Sequence, residues 1–202
     1  MKHLRKRKTK LPCPRCGLNP TLCICELIPT LNLATRVLLV VHAKELKRTT
    51  NSGRLALEAL TNSSLKIRGV IGENLDLTPD LTADYQSLLF YPSEDAHELN
   101  SEFMKSIKKP VQLIVPDGNW RQASKVAIRH EELKDLPRVK ITTPNTAQHH
   151  LRKENTEYGM STLEAIAKAL GVIEGPEAEA ALTKLYRAKL QATLKGRGII
   201  SD

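Results

Sequence analysis

The chain has 202 residues, of which 41% are hydrophobic, 26% are charged and only 3% are aromatic. This length fits one globular domain with a small appendage, and its core must consist mainly of aliphatic side chains. No apolar run is long enough to span a membrane, and the basic N-terminus lacks the apolar segment of a secretory signal. We therefore expect a soluble cytoplasmic protein, and the formal net charge of +9 favours a polyanionic partner.

Residues 1–10 form a basic arm, MKHLRKRKTK, that has almost no apolar side chain to bury. Such a segment is expected to be disordered on its own and to be attracted to phosphates. A solubilising tail or an expression remnant is the alternative. The basic charge of the rest of the chain favours the nucleic-acid role.

All four cysteines, Cys13, Cys16, Cys23 and Cys25, lie within residues 11–32. Four thiolates so close in sequence suit a tetrahedral zinc site, which can order a segment too small to have its own core. The zinc would be structural, because four protein ligands leave no open position. Two disulfides are the alternative, although a reducing compartment disfavours them. A redox role is weaker still, since C-P-R-C does not lie inside a βαβ pattern.

Strand and helix patterns alternate along residues 33–202, which predicts an α/β domain with a mostly parallel sheet and helices on both faces. Apolar runs predict strands at residues 35–43, 66–71, 87–91, 111–115 and 139–142. Capping residues and helical periodicity predict helices at residues 51–60, 93–105, 119–132, 161–170 and 176–196. Residues 143–158 show no clear periodicity and are long for a connection, so they are either functional or poorly ordered.

Asp117 lies where the predicted strand at residues 111–115 ends and a helix begins, because Asp117-Gly118-Asn119 is a turn sequence. Ligands of open α/β sheets bind at this edge, and a helix N-terminus there presents free N–H groups. Capping of the helix is the alternative explanation of Asp117 and Asn119.

Basic residues cluster in two places near the same predicted edge. One cluster surrounds the loop after the first strand and includes Lys44, Arg48 and Arg54. The other is a ridge on the helix after Asp117, where Arg121, Lys125 and Arg129 are four residues apart. Both clusters are candidate phosphate contacts, and a solvated helix face is the alternative.

The common nucleotide and metalloprotease fingerprints G-x-G-x-x-G, G-x-x-x-x-G-K and H-E-x-x-H are absent from the sequence. No serine or cysteine nucleophile has a convincing histidine partner. One carboxylate, Asp117, remains among basic side chains. It can act as a general base towards a weakly acidic substrate, and nearby cations keep it ionised.

These residues resemble the DTW-domain family, named after an Asp-x-Thr-Trp motif that Asp117-Gly118-Asn119-Trp120 matches with Asn in place of Thr. The four-cysteine module agrees with the family, and so do three further motifs along nearly the whole chain after the basic arm. These motifs are Asn51 with Arg54-Leu55, Phe90-Tyr91-Pro92 and Ser161-Thr162-Leu163-Glu164-Ala165. Asn can replace the threonine hydroxyl in capping a helix.

The resemblance implies a tRNA-uridine aminocarboxypropyltransferase. Such enzymes transfer the 3-amino-3-carboxypropyl group of S-adenosylmethionine to N3 of a tRNA uridine and release 5′-methylthioadenosine. The family is similar to SPOUT-type enzymes, so a C-terminal trefoil knot is also expected. An S-adenosylmethionine-dependent RNA methyltransferase and a non-enzymatic, zinc-containing RNA-binding protein are the alternatives. A monomer and a homodimer are both compatible with the sequence.

In this interpretation Asp117 is the base that deprotonates uridine. The expected cofactor-binding residues are Phe90, Tyr91, Pro92, Pro116, Asp117, Trp120, Ser161, Thr162, Leu163 and Glu164. The expected RNA-binding residues are Lys44, Arg48, Arg54, Arg121, Lys125 and Arg152. Trp120 could instead pack under its own loop, and a capping box explains Ser161 and Glu164 without any ligand.

Overall fold

The protein was analysed as a computed structural model, which describes residues 11–46, 48–143, 151 and 159–200. Its centre is a six-stranded sheet in the order β2-β1-β5-β3-β6-β4. The strands are β1 (Arg36–His42), β2 (Ser63–Arg68), β3 (Gln86–Phe90), β4 (His97–Glu98), β5 (Val111–Asp117) and β6 (Arg138–Lys140). Every registered strand pair is parallel. The predicted parallel α/β sheet is therefore confirmed.

Helices cover both faces of this sheet. They are α1 (Gly53–Ala59), α2 (Ser101–Lys105), α3 (Trp120–Arg129), α4 (Thr162–Ile173) and α5 (Pro176–Gly196). Alternate residues of a strand point to opposite faces. Val37 and Leu39 of β1 accordingly join the core built with α1, α4 and α5, whereas Leu38 and Val40 join the core built with α3.

The helix predicted at residues 93–105 is wrong in its first half. His97 and Glu98 form β4, which pairs with β6 at the edge of the sheet. Helix α2 begins only after Asn100, whose side chain accepts a hydrogen bond from the Phe103 N–H. The cap is therefore Asn100 and not Ser93, because the chain must first extend to complete the sheet.

Other boundaries also differ from the prediction, and three of them have a clear structural reason. β2 lies three residues earlier than expected, because it pairs in register with β1 and ends at Arg68, before Gly69, where φ is 80°. β5 continues through Pro116 to Asp117 beside β1. Helix α4 passes through Gly171, where an added Cβ would collide with Glu179 of α5. That glycine permits close packing of α4 against α5 and does not end the helix.

The cysteine segment packs onto the α/β domain. Cys16, Leu18 and Ile24 are buried in the same core as α1, α4 and α5. Leu31, a few residues further on, forms a parallel bridge with Leu60 after α1. The basic arm at residues 1–10 and most of residues 143–158 lie outside the described residues. Among the helices that are described, none has the length and apolar character needed to cross a bilayer.

Candidate active site and metal centre

A cleft of about 540 Å³ opens at the carboxyl edge of the sheet. Its walls come from the segments that follow β1, β3, β5 and β6, and from the start of α4. Such a volume is within the range of roughly 300–1,000 Å³ that is typical of small-molecule sites. The parallel sheet therefore places the ends of four strands around one concave site, as expected for open α/β folds.

Asp117 is the carboxylate of this cleft and is only 6% exposed. Its Oδ2 accepts a hydrogen bond of 2.6 Å from Nδ2 of Asn51, and its Oδ1 accepts one of 2.6 Å from the hydroxyl of Thr162. These two hydrogen bonds fix the orientation of the carboxylate. Asn51 and Thr162 therefore hold the carboxylate at the wall of the cleft.

The same contacts join the starts of α1 and α4. Asn51 Oδ1 accepts from the Arg54 N–H, so Asn51 also caps α1. The Leu163 N–H of α4 donates to the Ser52 hydroxyl, and the Glu164 N–H donates to Ser161. Two of the first three N–H groups of α4 are therefore already bonded to side chains.

Gly53 is the small residue that allows this close approach. A Cβ at this position would lie 3.1 Å from Asp117 Oδ2 and 3.2 Å from Cγ2 of Thr162. Both distances are tighter than ordinary van der Waals contact. A side chain at the first residue of α1 would therefore push the helix away from the carboxylate.

The start of α3 shows that Asn119 caps the helix and that Trp120 faces the cleft. Asn119 accepts from the Gln122 N–H, and the Gln122 side chain accepts from the Asn119 N–H, which completes a capping box. The amide of Asn119 therefore performs the capping that was expected of it. Trp120 lines the cleft and is 53% exposed, so its indole is not core packing.

The structure brings most of the predicted cofactor-binding residues to one cleft. The residues that line it are Phe90, Tyr91, Pro92, Pro116, Asp117, Trp120, Ser161 and Thr162. Leu163 is fully buried in the core, and Glu164 closes the capping box with Ser161. In the structure Leu163 therefore packs in the core, and Glu164 caps α4.

The predicted RNA-binding residues lie in three places. Lys44, Arg121 and Lys125 line a second, basic depression beside the cleft. Arg48 lines the cleft itself and forms an ion pair of 3.1 Å with Glu45, while Arg54 lines neither cavity. Arg152 lies outside the described residues.

The four cysteines form one cluster whose sulfur atoms all lie within 4.8 Å of one another. Cys13 Sγ lies 3.4 Å from Cys25 Sγ and 3.7 Å from Cys23 Sγ. Four thiolates at the usual Zn–S length are separated by about 3.8 Å in a tetrahedron, so the cluster fits zinc. All four are free thiols in the structure, and the distances far exceed an S–S bond.

The surroundings of the cluster act differently on its individual thiols. Backbone hydrogen bonds from Cys16 and Arg15 lower the pKa of Cys13 to about 6, whereas burial raises the pKa of Cys25 to about 12. The thiols of this cluster therefore differ in how readily they ionise without metal, and a bound metal deprotonates such ligands. Lys189 of α5 is fully buried beneath them and donates to the Cys16 carbonyl oxygen.

Sequence reasoning missed three residues of these two sites. Asn51 was interpreted as a helix cap and a family motif, but it also holds Asp117. As a charged residue of the last helix, Lys189 is expected on an outer basic face, although it is buried. No sequence pattern indicated a role for Gly53. The position of Lys189 beside the helix stripe of Leu182 and Leu185 was the only hint in the sequence.

Replacing Thr162 by valine is expected to lower the free energy of unfolding by about 1.5–3 kcal/mol, because a hydrogen bond to a charged group is lost. For a chain of this size each kcal/mol corresponds to a fall of roughly 2–4 °C in Tm. Thermal unfolding of Thr162→Val is the measurement. Thr162→Ser keeps the hydroxyl and should stay close to the wild type. Equal Tm values for all three proteins would contradict this role of Thr162.

Comparison with known proteins identifies the family. Relatives named tRNA-uridine aminocarboxypropyltransferase 2 from Macaca fascicularis, Mus musculus and Drosophila melanogaster are 25%, 26% and 27% identical to this chain. The matches cover 83%, 80% and 85% of this chain, but 58%, 56% and 70% of the relatives. The chain thus spans little more than half of the length of the first two relatives. No solved structure matches significantly. The DTW domain matches residues 10–194, and the chain therefore belongs to the DTW domain family.

Proposed function

We propose that the chain transfers the 3-amino-3-carboxypropyl group of S-adenosylmethionine to N3 of a tRNA uridine. The observation that carries this proposal is the carboxylate of Asp117, which is buried yet lines a cleft of suitable volume at the first position of the DTW motif. The names of the family relatives support tRNA uridine as the acceptor.

The cleft fits a nucleoside-containing cofactor. Phe90, Tyr91 and Pro92 form one wall after β3, and Pro116 forms another at the end of β5. These side chains supply the apolar contacts that an adenosine needs, while the N-terminus of α4 supplies polar groups. When bound, S-adenosylmethionine supplies a carbon made electrophilic by its positive sulfonium, which leaves as a neutral thioether without an acid.

The role of Asp117 follows from the chemistry of the acceptor. N3 of uridine carries a proton at neutral pH and must lose it before it can attack carbon. Asp117 takes that proton as general base, and Asn51 and Thr162 hold its carboxylate in one orientation. Because the leaving group needs no proton, one base is enough, and the other residues of the cleft have the task of positioning.

The tRNA backbone is expected to contact the basic residues around the cleft. We assign this role to Lys44, Arg48, Arg54, Arg121 and Lys125, with Arg152 and the basic arm as further contacts outside the described residues. Phosphate contacts of this kind position a nucleic acid without reading its sequence.

The cysteine cluster is proposed to hold one structural zinc ion through Cys13, Cys16, Cys23 and Cys25. Zinc would contribute folding energy to residues 11–32. The reducing cytoplasm, where thiolate ligands stay intact, is the compartment that we propose. The SPOUT-like trefoil knot and the choice between monomer and homodimer remain predictions.

The experiment that tests the function is nucleoside mass spectrometry of tRNA after incubation with the protein and S-adenosylmethionine. A mass gain that matches an aminocarboxypropyl group on uridine, with release of 5′-methylthioadenosine, is the expected result. A methyl gain with S-adenosylhomocysteine would instead identify an RNA methyltransferase. If calorimetry detects tRNA binding but no S-adenosylmethionine binding, the protein is a non-enzymatic RNA-binding module.

Trp120 provides a separate test of the acceptor side. Its exposed indole at the rim of the cleft is placed to stack on a base of the tRNA, and such stacking contributes about 1–3 kcal/mol. Trp120→Ala should therefore weaken tRNA binding by roughly 5- to 150-fold, whereas the free energy of unfolding should change by less than about 0.5 kcal/mol. Trp120→Phe keeps an aromatic face and should retain most of the affinity. Equal tRNA affinity of the alanine variant and the wild type would remove Trp120 from RNA contact.

A further inference from the structure

A second depression, of about 750 Å³, lies beside the cleft of Asp117, and we call it the basic groove. One side is formed by the ends of β1 and β2, and the other by the length of α3. Its basic side chains are His42, Lys44, Arg68, Arg121, Lys125, Arg129 and His130. Asn119 lines both the basic groove and the cleft of Asp117, so the two cavities meet at the start of α3.

The cations of the basic groove are crowded together. Arg129 and Arg121 lower the pKa of Lys125, and burial together with Arg129 lowers the pKa of Arg68. Within the described ranges, none of the five Lys and Arg side chains of the groove forms an ion pair. Like charges held this close repel each other, and a bound anion would relieve that repulsion.

The acidic residues of the groove do not neutralise this cluster. Glu131 pairs with Lys134, and Glu132 contacts His130 at 2.9 Å and accepts from the Leu77 N–H. Glu73 is exposed at the rim. Glu131 and Glu132 are thus engaged near His130. The side of the groove that Arg68 and Lys125 form keeps its positive charge.

The spacing of the cations favours a chain of anions over a single one. Arg121, Lys125 and Arg129 are four residues apart on α3, so they are separated by about 6 Å at each step and span about 12 Å along the helix axis. Arg68 approaches the same row from β2 on the opposite wall. A polyanion whose charges repeat at similar intervals can contact several of these residues at once, as a nucleic-acid strand does.

We propose that the basic groove binds consecutive phosphates of the RNA strand whose target base enters the cleft, with Arg68 and Arg129 as contacts that face each other across it. This inference rests on the proposed action on tRNA and adds the path of the strand. The strand runs along α3 and reaches Asp117 past Asn119, where the two cavities meet.

The test compares two double variants of the full chain in their tRNA affinity as a function of salt. Arg68→Gln with Arg129→Gln removes two charges from the groove. Lys108→Gln with Lys109→Gln removes two exposed charges before β5, at the opposite edge of the sheet. Each lost phosphate contact reduces the slope of log K against log salt by roughly 0.7–0.9. We expect the groove variant to lose about 1.5 in slope and at least about tenfold in affinity, and the control to lose neither.

Several outcomes would overturn the proposal. Equal salt slopes for the two double variants would show that the groove does not bind RNA, even if the wild type modifies tRNA normally. Binding of an acidic polyglutamate peptide that depends on Arg68 and Arg129, with unchanged tRNA affinity, would assign the groove to an acidic protein. Conversely, the groove variant could lose salt slope although the wild type never modifies tRNA. That result would support RNA binding by the groove and refute only the transferase function.

Two further measurements keep the result interpretable. Calorimetry with S-adenosylmethionine should give the same affinity for the groove variant and the wild type, because neither arginine lines the cleft. If the variant fails to fold, lysine acetylation of the wild type provides a second readout. Bound tRNA should protect Lys44 and Lys125 and leave Lys108 and Lys109 reactive, and the opposite pattern would overturn the proposal.

Discussion

Asp117→Asn is expected to abolish aminocarboxypropyl transfer while tRNA and S-adenosylmethionine binding persist. The amide has the shape of the carboxylate, and both contacts can survive, since its oxygen can accept from Asn51 and its nitrogen can donate to Thr162 after the hydroxyl rotates. Only the capacity to accept a proton is lost. A general base contributes about 10²–10⁴-fold, so turnover should fall at least by that factor in single-turnover assays.

Asp117→Ala gives the matching comparison. It removes both the base and two hydrogen bonds to a buried carboxylate, so it should lose turnover and stability together. The asparagine variant should lose turnover and keep nearly the Tm of the wild type. If Asp117→Asn turns over at a normal rate, the carboxylate only ties α1 to α4, and another group deprotonates the uridine.

Removal of the proposed zinc ion should have the largest effect on stability. Loss of zinc is expected to disorder residues 11–32 and to leave the α/β domain folded, but the domain should be weaker, because Cys16, Leu18 and Ile24 belong to its core. Loss of a structural metal can exceed about 4 kcal/mol, which corresponds to a fall in Tm of roughly 8–16 °C. Thermal unfolding with and without a chelator, followed by limited proteolysis of the segment, measures both effects.

Cys23→Ser is the variant that separates metal binding from packing. The Cys23 side chain is exposed, so its replacement should disturb the core little, yet it removes one of four ligands. The variant should contain less than one zinc per chain by elemental analysis and should be insensitive to the chelator. Mapping of disulfides among the four cysteines, or an unchanged Tm after chelation, would contradict the zinc site.

The elements with strong local signals could be predicted from the sequence. β1 is a continuous apolar run that is buried on both faces, and α5 begins at Pro176 and ends at Gly196 as expected. The capping box of Ser161 and Glu164 likewise fixes the start of α4. In each case neighbouring residues determine the structure, so the local sequence contains the information.

The elements that depend on distant partners could not be predicted in the same way. β4 has only two residues, both exposed, and exists because β6 lies beside it. Gly171 resembles a helix end in the sequence, but it is retained inside α4 to admit Glu179. The end of β5 at Asp117 is set by its pairing with β1. Tertiary packing determines all three.

The candidate site likewise contains features that the local sequence determines and features that depend on distant partners. Asp117 and its cleft follow from the strand-to-helix turn, because ligands of parallel sheets bind at that edge. The partner of its Oδ2, Asn51, lies 66 residues earlier in the chain. Lys189 lies 173 residues after Cys16, whose carbonyl it contacts. A pattern that is read along one helix or strand cannot reveal such pairs.

The three-way contact of Asn51, Asp117 and Thr162 has a consequence for folding. It joins segments that are 66 and 45 residues apart, and the Ser52 and Leu163 bond beside it spans 111 residues. Contacts with such long loops carry a large closure entropy and contribute little to the early collapse of a chain. The carboxylate of Asp117, the proposed proton acceptor, is thus oriented only when the first, middle and last parts of the domain have all docked. If Asp117 is the base, a partly folded chain should have no transfer activity.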